Sequence, residues 1–398
     1  MGAGTAQGGA CLLISGKVRK NMEFVVFAGV LLLLFIFMIV QELIQTKNQE
    51  KLFKKYLREN YGKEPPKEYS LERFARLGSY LERHKEEKQL DDITWNDLGM
   101  DEVFRRIDRT YSAAGEEYLY YTLRNISCGR EALEHLEEVV NWLQEQENIK
   151  VRIQLLMKRL GHLGKYSLYD YLDNLDYLGE RSNRKIVLGN LLYLPFLLLL
   201  FVQPAMGTIG IVLCMLWHIM TYFREKKVIE PYIISFAYVL RLIDVCEELE
   251  KQKIPVYRRE LDELREALKS LRELRRGAYW VMAGNQGKIG GNPLDILADY
   301  LRMILHLDIF QFNRMLEKLR KKTGQVENML AITGYLDMAI SVGGFRKSLE
   351  GYCIPKLEED TEKAFLHMKK GWHPLLSHCL CVLVREVRLP VVRLLILR

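Results

Sequence analysis

The stretch Leu90–Asn125, LDDITWNDLGMDEVFRRIDRTYSAAGEEYLYYTLRN, decides how this chain is read. Val103, Phe104 and Ile107 recur at helical spacing and form one apolar face, Gly115 resets the chain, and Tyr118, Leu119 and Leu123 begin a second face. The spacing predicts a helix, a turn and a second helix, with Trp95 just ahead and the basic pair Arg105 and Arg106 on the first helix.

The flanking sequence is that of a folded chain long enough for two or three domains: 398 residues, 49% apolar and 27% charged. The net charge of +7 is spread over many segments and forms no concentrated basic tail, so charge alone gives nucleic acid only modest support. Seven cysteines (Cys11, Cys128, Cys214, Cys246, Cys353, Cys379 and Cys381) show no paired spacing, which points to reduced thiols in a cytoplasmic setting.

Three stretches are apolar enough for lipid. Phe24–Val40 is a run of 17 uncharged residues, and Ile186–Val202 and Met206–Phe223 repeat the pattern with Gln203, Pro204 and Ala205 between them. They predict a first transmembrane helix within 22–43 and a transmembrane helical hairpin over 186–223. Arg181, Arg184 and Lys185 precede the hairpin, and Arg224, Lys226 and Lys227 follow it, which places both flanks in the cytoplasm. Lys47, Lys51, Lys54 and Lys55 after the first span outweigh Lys17, Arg19 and Lys20 before it. The expected protein is a multi-pass protein of the cell membrane, its N-terminus outside and its soluble parts cytoplasmic. A cleaved signal peptide competes, but no small-x-small site follows Val40. Residues 1–21 are Gly- and Ala-rich without periodicity and read as a disordered N-terminus, with Met22 as an alternative start; Ala6 breaks the myristoylation pattern.

The polar remainder reads as helices. Residues 44–89 form a charged stalk interrupted at Pro65 and Pro66, with Ser70 placed to cap the next helix. Arg130–Gly161 carries apolar residues at helical spacing, and Tyr166–Leu178 leads to the hairpin. Beyond it, Pro231–Lys253 and Pro255–Arg276 read as two long helices. The second carries a seam of Tyr257, Leu261, Leu264, Leu268 and Leu271, a coiled-coil or lever stripe too short to exclude simple bundle packing. Asn292 and Pro293 open a further helix, and Ala278–Ala283, in the glycine-bearing loop Gly277–Gly291, is the one short strand candidate.

The opening stretch resembles the start of the core and lever region of the MutS-type superfamily of DNA mismatch-repair ATPases. Leu98, Val103, Phe104, Ile107, Asp108, Thr110, Gly115, Leu119, Leu123 and Arg124 carry the likeness, with Asp108 where Asn is usual. Gly334–Pro355, GYLDMAISVGGFRKSLEGYCIP, is similar to the segment leading from the levers toward the ATPase domain, and Gly371–Leu376, GWHPLL, to the His-Pro lead-in of that domain. The resemblance covers roughly Leu90–Leu376, interrupted by the hairpin. It implies a helical core with long levers, in which 90–185 is the first part of the core and 224–376 the second part with the levers; together with the three apolar runs this makes the expected fold mostly α-helical, a helical core and long lever helices with three transmembrane helices. The partners it implies are double-stranded DNA held through phosphate contacts and a second copy of the chain, beside the membrane expected from the apolar runs. ATP and Mg²⁺ are expected only of the full family architecture.

The chemistry of that family is only partly spelled out here. A phosphate loop needs Gly-x-x-x-x-Gly-Lys-Ser/Thr, so that backbone N–H groups and Lys hold the phosphates and the hydroxyl holds Mg²⁺. Gly284–Gly291, GNQGKIGG, has Met282 at the first Gly position and Ile289 at the hydroxyl position. After Pro374 the chain reads SHCLCVLVREVRLPVVRLLILR over 377–398, with one acidic residue, Glu386, and no glycine, and it reads as an aberrant or truncated tail in place of the ATPase domain. A mismatch-reading Phe-x-Glu wedge is not expected, because the first span and stalk take the place of the domain that would bear it. Arg105, Arg106 and Arg109 are candidate phosphate contacts or, more simply, a solvated helix face. His373, His378, Cys379 and Cys381 crowd together without the two spaced pairs of a zinc site. No catalytic, cofactor or metal residue is assigned to this chain. The rival to a DNA-associated role is a membrane-tethered helical scaffold for protein interaction. A transporter is disfavoured because His218 is the only Asp, Glu, Lys, Arg or His inside the three apolar runs.

Overall fold

A computed structural model describes residues 36–41, 43–63, 69, 71–85, 89–126, 129–163, 167–275, 300–356, 365–371 and 384–390. The first predicted span lies mostly outside the described residues, as do the loop over 277–291 with its strand candidate, the helix start at Asn292 and Pro293, and His373, His378, Cys379 and Cys381. The chain divides into two units, residues 1–60 and 61–398. In the first, 36–41 and 43–60 (α1) are helical; Ile36–Val40 present exposed apolar side chains, and Lys54 pairs with Glu50 one turn away.

The second unit is mostly α-helical. Its helices are α2 (Leu71–Arg83), α3 (Asp92–Asp97), α4 (Met100–Ile107), α5 (Ala113–Arg124), α6 (Arg130–Glu145), α7 (Glu147–Leu160) and α8 (Leu168–Asp173), followed by α9 (Arg184–Leu191), α10 (Tyr193–Val202), α11 (Pro204–Glu250), α12 (Arg258–Leu271), α13 (Leu307–Arg320) and α14 (Thr323–Ser348). Residues 300–305 form a further helical turn ahead of α13. One antiparallel hairpin, β1 (Phe365–Gly371) with β2 (Val384–Pro390), pairs Phe365 with Pro390 and Gly371 with Val384.

Local chemistry sets the starts of these helices. Asp91 accepts from the Thr94 N–H to cap α3, and Ser112 accepts from the Gly115 N–H to cap α5. Ser167 and Asp170 form a reciprocal capping box on α8. Gly99 turns the chain between α3 and α4 at φ 62°, a conformation that a Cβ disfavours.

Helix α14 is the axis of the core. It is apolar on most sides and accordingly surrounded, packing against α4, α5, α6, α7, α11 and α12. Past the interruption at Pro65 and Pro66, α2 packs onto α5 and α8, burying Leu77 and Tyr80 in the core. The Tyr257–Leu271 seam is buried within the chain, as α12 lies against α11 and α14, so in this fold it is a bundle face.

The sequence reading separates Met206–Phe223 from Pro231–Lys253; the structure joins them in the 47-residue α11. Pro231 removes one backbone donor, but Ile229, Ile233 and Phe236 around it are buried, and that packing holds the helix through the proline. At 1.5 Å per residue α11 is about 70 Å long. Its first part and the preceding helices give two segments long and apolar enough to cross a membrane, Arg184–Val202 and Pro204–Glu230. Phe201 is 89% exposed, and Leu194, Leu198, Val202 and Met220 are exposed with it. The two helices of the hairpin approach closely at Gly207 and Gly210. A Cβ on Gly207 would lie 2.6 Å from the Leu200 nitrogen, and one on Gly210 would strike the Phe196 ring.

Candidate functional site

The residues of the opening stretch converge on α14 through carboxylates. Asp337, fully buried on α14, accepts from the Ser112 N–H at 2.8 Å, the Ser112 hydroxyl at 2.6 Å and the Tyr111 N–H at 3.0 Å. These donors belong to the turn that starts α5, so one side chain anchors both its cap and its entry. One turn further along α14, the Ser341 hydroxyl accepts from the Arg109 N–H and donates to the Ile107 carbonyl, both at 2.8 Å. The helices can approach because two glycines face each other's helix. A Cβ on Gly334 would sit 2.6 Å from the Ala114 carbonyl oxygen, and one on Gly115 would collide with the Asp337 carboxylate.

Two more acids complete this joint. Asp108 accepts from Tyr69 and, at 2.9 and 2.6 Å, from the Thr110 N–H and hydroxyl. Glu116, also fully buried, is held by Arg73 at 2.5 Å and Arg76 at 2.7 Å. Each buried charge thus meets several donors, as burial of a carboxylate requires.

Glu117 is different. Its neighbour is the Ser167 hydroxyl at 2.8 Å, and burial pushes its carboxyl up to about 8, against the opposing pull of that hydrogen bond and of Arg76. The folded chain therefore keeps a proton that the unfolded chain releases near pH 4.5. Stability falls as pH rises from about 4.5 to 8, by at most about 1.4 kcal/mol per pH unit from this group, and levels off above. We expect Glu117→Gln to flatten that slope in denaturant titrations at pH 5, 6, 7 and 8; an unchanged slope would assign the pH dependence elsewhere.

Two of the arginines considered as phosphate contacts make contacts within the protein. Arg105 pairs with Glu102 at 2.8 Å and lies over the Phe74 ring, while Arg109 donates to the carbonyls of Arg106 and Lys63 and to the Ser348 hydroxyl. Neither of the two cavities described, one beside Arg258 to Glu266 and one at the base of the hairpin, is lined by Arg105, Arg106 or Arg109. Arg124, in the resembling stretch, pairs with Asp92 at 2.6 Å and stacks over Trp95 and Tyr120. Leu98 is 55% exposed and stands apart from the core that buries Phe104 and Leu119.

One Phe-x-Glu tripeptide does occur, Phe223-Arg224-Glu225, a correction to the expectation of none. It lies inside α11, with Phe223 exposed on the apolar hairpin and Glu225 paired to Arg181 at 3.1 Å, an arrangement unlike a free wedge. Within 377–398, β2 is paired along β1.

A second polar cluster lies at the base of the hairpin and was invisible in the sequence, because its members come from two distant segments. His218 of α11 faces His306 with their Nδ1 atoms 3.3 Å apart, His306 Nε2 lies 3.3 Å from the Thr221 hydroxyl, and the Tyr222 hydroxyl donates to Asp308 at 2.8 Å. His306 takes the left-handed conformation, φ 54°, at the break before α13, which turns its ring toward α11. Beside the pair is a cavity of about 460 Å³ bounded by residues 178–189, which lead into α9, residues 217–225 of α11, and residues 306–313 at the start of α13. No cluster of three or more His, Cys, Asp or Glu able to hold a metal occurs among the described residues.

No family model, no curated protein and no solved structure matches this chain.

Proposed function

We propose that this chain is a membrane-anchored protein of MutS type. It crosses the cell membrane three times, through 22–43 and the two helices of 186–223, with its N-terminus outside and its soluble parts in the cytoplasm. Its helical body holds double-stranded DNA through the phosphates and works as a pair of copies. The observation that carries the reading is the Asp337 joint: the two stretches on which the family resemblance rests are packed on one another, Asp337 of the second accepting from Tyr111 and Ser112 of the first, 225 residues before it in the case of Ser112. The continuous α11 supports the tethered part, because it runs from the apolar hairpin into the core without a hinge and would transmit tilt at the bilayer to the body. ATP and Mg²⁺ belong, on this reading, to the family's phosphate-loop domain.

Binding of a fluorescent duplex to the full chain in nanodiscs tests the DNA role. Neutralised phosphates release counterions, so log K should fall linearly with log salt, by about 0.9 per phosphate contacted. A flat or absent response overturns it. The scaffold reading would then stand, and the pairing of Arg105 with Glu102 and the contacts of Arg109 to backbone carbonyls favour it, since these cations already have partners in the protein.

A further inference from the structure

The cavity at the base of the hairpin has an unusual balance of unmatched groups. Arg181 is paired with Glu225, but its Nε is buried without a hydrogen-bond partner, and so are Nε2 of His218 and Oδ1 of Asn313. His218 is 1% and Asn313 7% exposed. At the rim, Lys185 and Glu180 have no ion-pair partner among the described residues. Buried polar atoms without partners are costly, so a site that keeps several together is built for something that satisfies them.

What the site offers is two-sided. Lys185 and the Arg181 Nε–H are donors suited to a phosphate, as is His218 in the tautomer that carries its hydrogen on Nε2. Glu180 and the Asn313 carbonyl are acceptors suited to a primary ammonium. The four formal charges of the lining, Arg181 and Lys185 against Glu180 and Glu225, cancel, so a ligand that is itself neutral overall leaves no unbalanced charge.

Position supplies the source. The cavity is at the end of the hairpin opposite the Gln203 turn, and the 18 residues from Lys185 to Gln203 span about 27 Å, close to one hydrocarbon thickness. Polar groups there lie at headgroup depth, with exposed Leu188, Leu192 and Met220 continuing toward the bilayer interior.

We propose that this cavity binds the phosphoethanolamine headgroup of a membrane phospholipid, phosphate against Lys185 and Arg181, ammonium against Glu180 and Asn313. The proposal rests on the membrane reading of the hairpin and deepens it. A trimethylammonium headgroup has no N–H to give Asn313, and an anionic glycerol headgroup leaves Glu180 unmatched, so the site discriminates against both.

The test uses the full chain with vesicles and nanodiscs of phosphatidylcholine alone or with phosphatidylethanolamine or phosphatidylglycerol, followed by native mass spectrometry of retained lipid. We expect retention of the ethanolamine lipid over the other two by about tenfold or more, the size of one or two charge-assisted hydrogen bonds. Lys185→Gln and Glu180→Gln, both at exposed positions, should each reduce that preference about tenfold while leaving the helical content unchanged. Equal retention of the three lipids overturns the proposal, as does preference for phosphatidylglycerol. Binding of soluble phosphoethanolamine in phosphatidylcholine discs with an affinity matching the lipid also overturns it, because the ligand would then be a free phosphate ester. Flotation with vesicles of any headgroup reports the membrane reading separately: a chain that floats but shows no preference refutes only the headgroup site, and one that never floats refutes the anchoring itself.

Discussion

Asp337→Ala is expected to destabilise the chain by about 3–5 kcal/mol, the largest effect of any single substitution outside the apolar core. Removing the carboxylate leaves the Tyr111 N–H, the Ser112 N–H and the Ser112 hydroxyl with no acceptor at a fully buried position. An unsatisfied buried donor costs about 1–3 kcal/mol, and breaking a buried charged contact by deleting one partner costs about 3–5 kcal/mol. Ser112 also caps α5, so the same change loosens the first turn of that helix. Thermal unfolding of the detergent-solubilised protein should show a Tm lower by roughly 10 °C. A loss below about 1 kcal/mol would mean that α5 and α14 are held by apolar contact alone.

Gly334→Ala comes next, and its sign is a contest between two terms. Alanine in a helix interior gains about 1 kcal/mol over glycine. Here the new methyl group would lie 2.6 Å from the Ala114 carbonyl oxygen and 3.0 Å from its carbon, and backbone cannot rotate away. Overpacking of this kind costs about 1–3 kcal/mol, occasionally more, so we expect a net loss of about 2 kcal/mol with α5 and α14 forced apart. Gly78→Ala on α2, where a Cβ meets nothing within 4 Å, isolates the propensity term and should gain up to about 1 kcal/mol. If both alanine variants stabilise equally in denaturant titration, the close approach of the two helices is not a feature of the folded protein in solution.

Much of the element pattern was readable from local signals. A helix forms where the spacing of Tyr118, Leu119 and Leu123 required one, and the five seam residues from Tyr257 to Leu271 all become buried; the turn expected at Gly115 lies instead at 108–112, because Ser112 caps α5 and Gly115 is already inside it. The hairpin from residue 186 onward was legible because a run without charge and apolar on every side has few other uses. Local signals failed where a partner from elsewhere decides. Pro231 and the cations Arg224, Lys226 and Lys227 look like a helix end, yet α11 continues because Ile229, Ile233 and Phe236 are packed by the core. Arg109 reads as one of three solvated cations, and only the fold supplies the carbonyls and the Ser348 hydroxyl that occupy it.

The order of polar and apolar residues along this chain was enough to determine a helical body and an apolar hairpin, since both follow from periodicity and length, which are properties of neighbours. It could not determine that Asp337 would anchor the turn at Tyr111 and Ser112, that His218 would face His306, or that Lys185, Glu180 and Asn313 would share a cavity. Those pairings join residues roughly 90 to 230 positions apart, or set an acceptor beside a cation from another helix. They exist because α14 and α11 bring the distant segments into contact, and the cost of burying a polar group then selects which side chains meet.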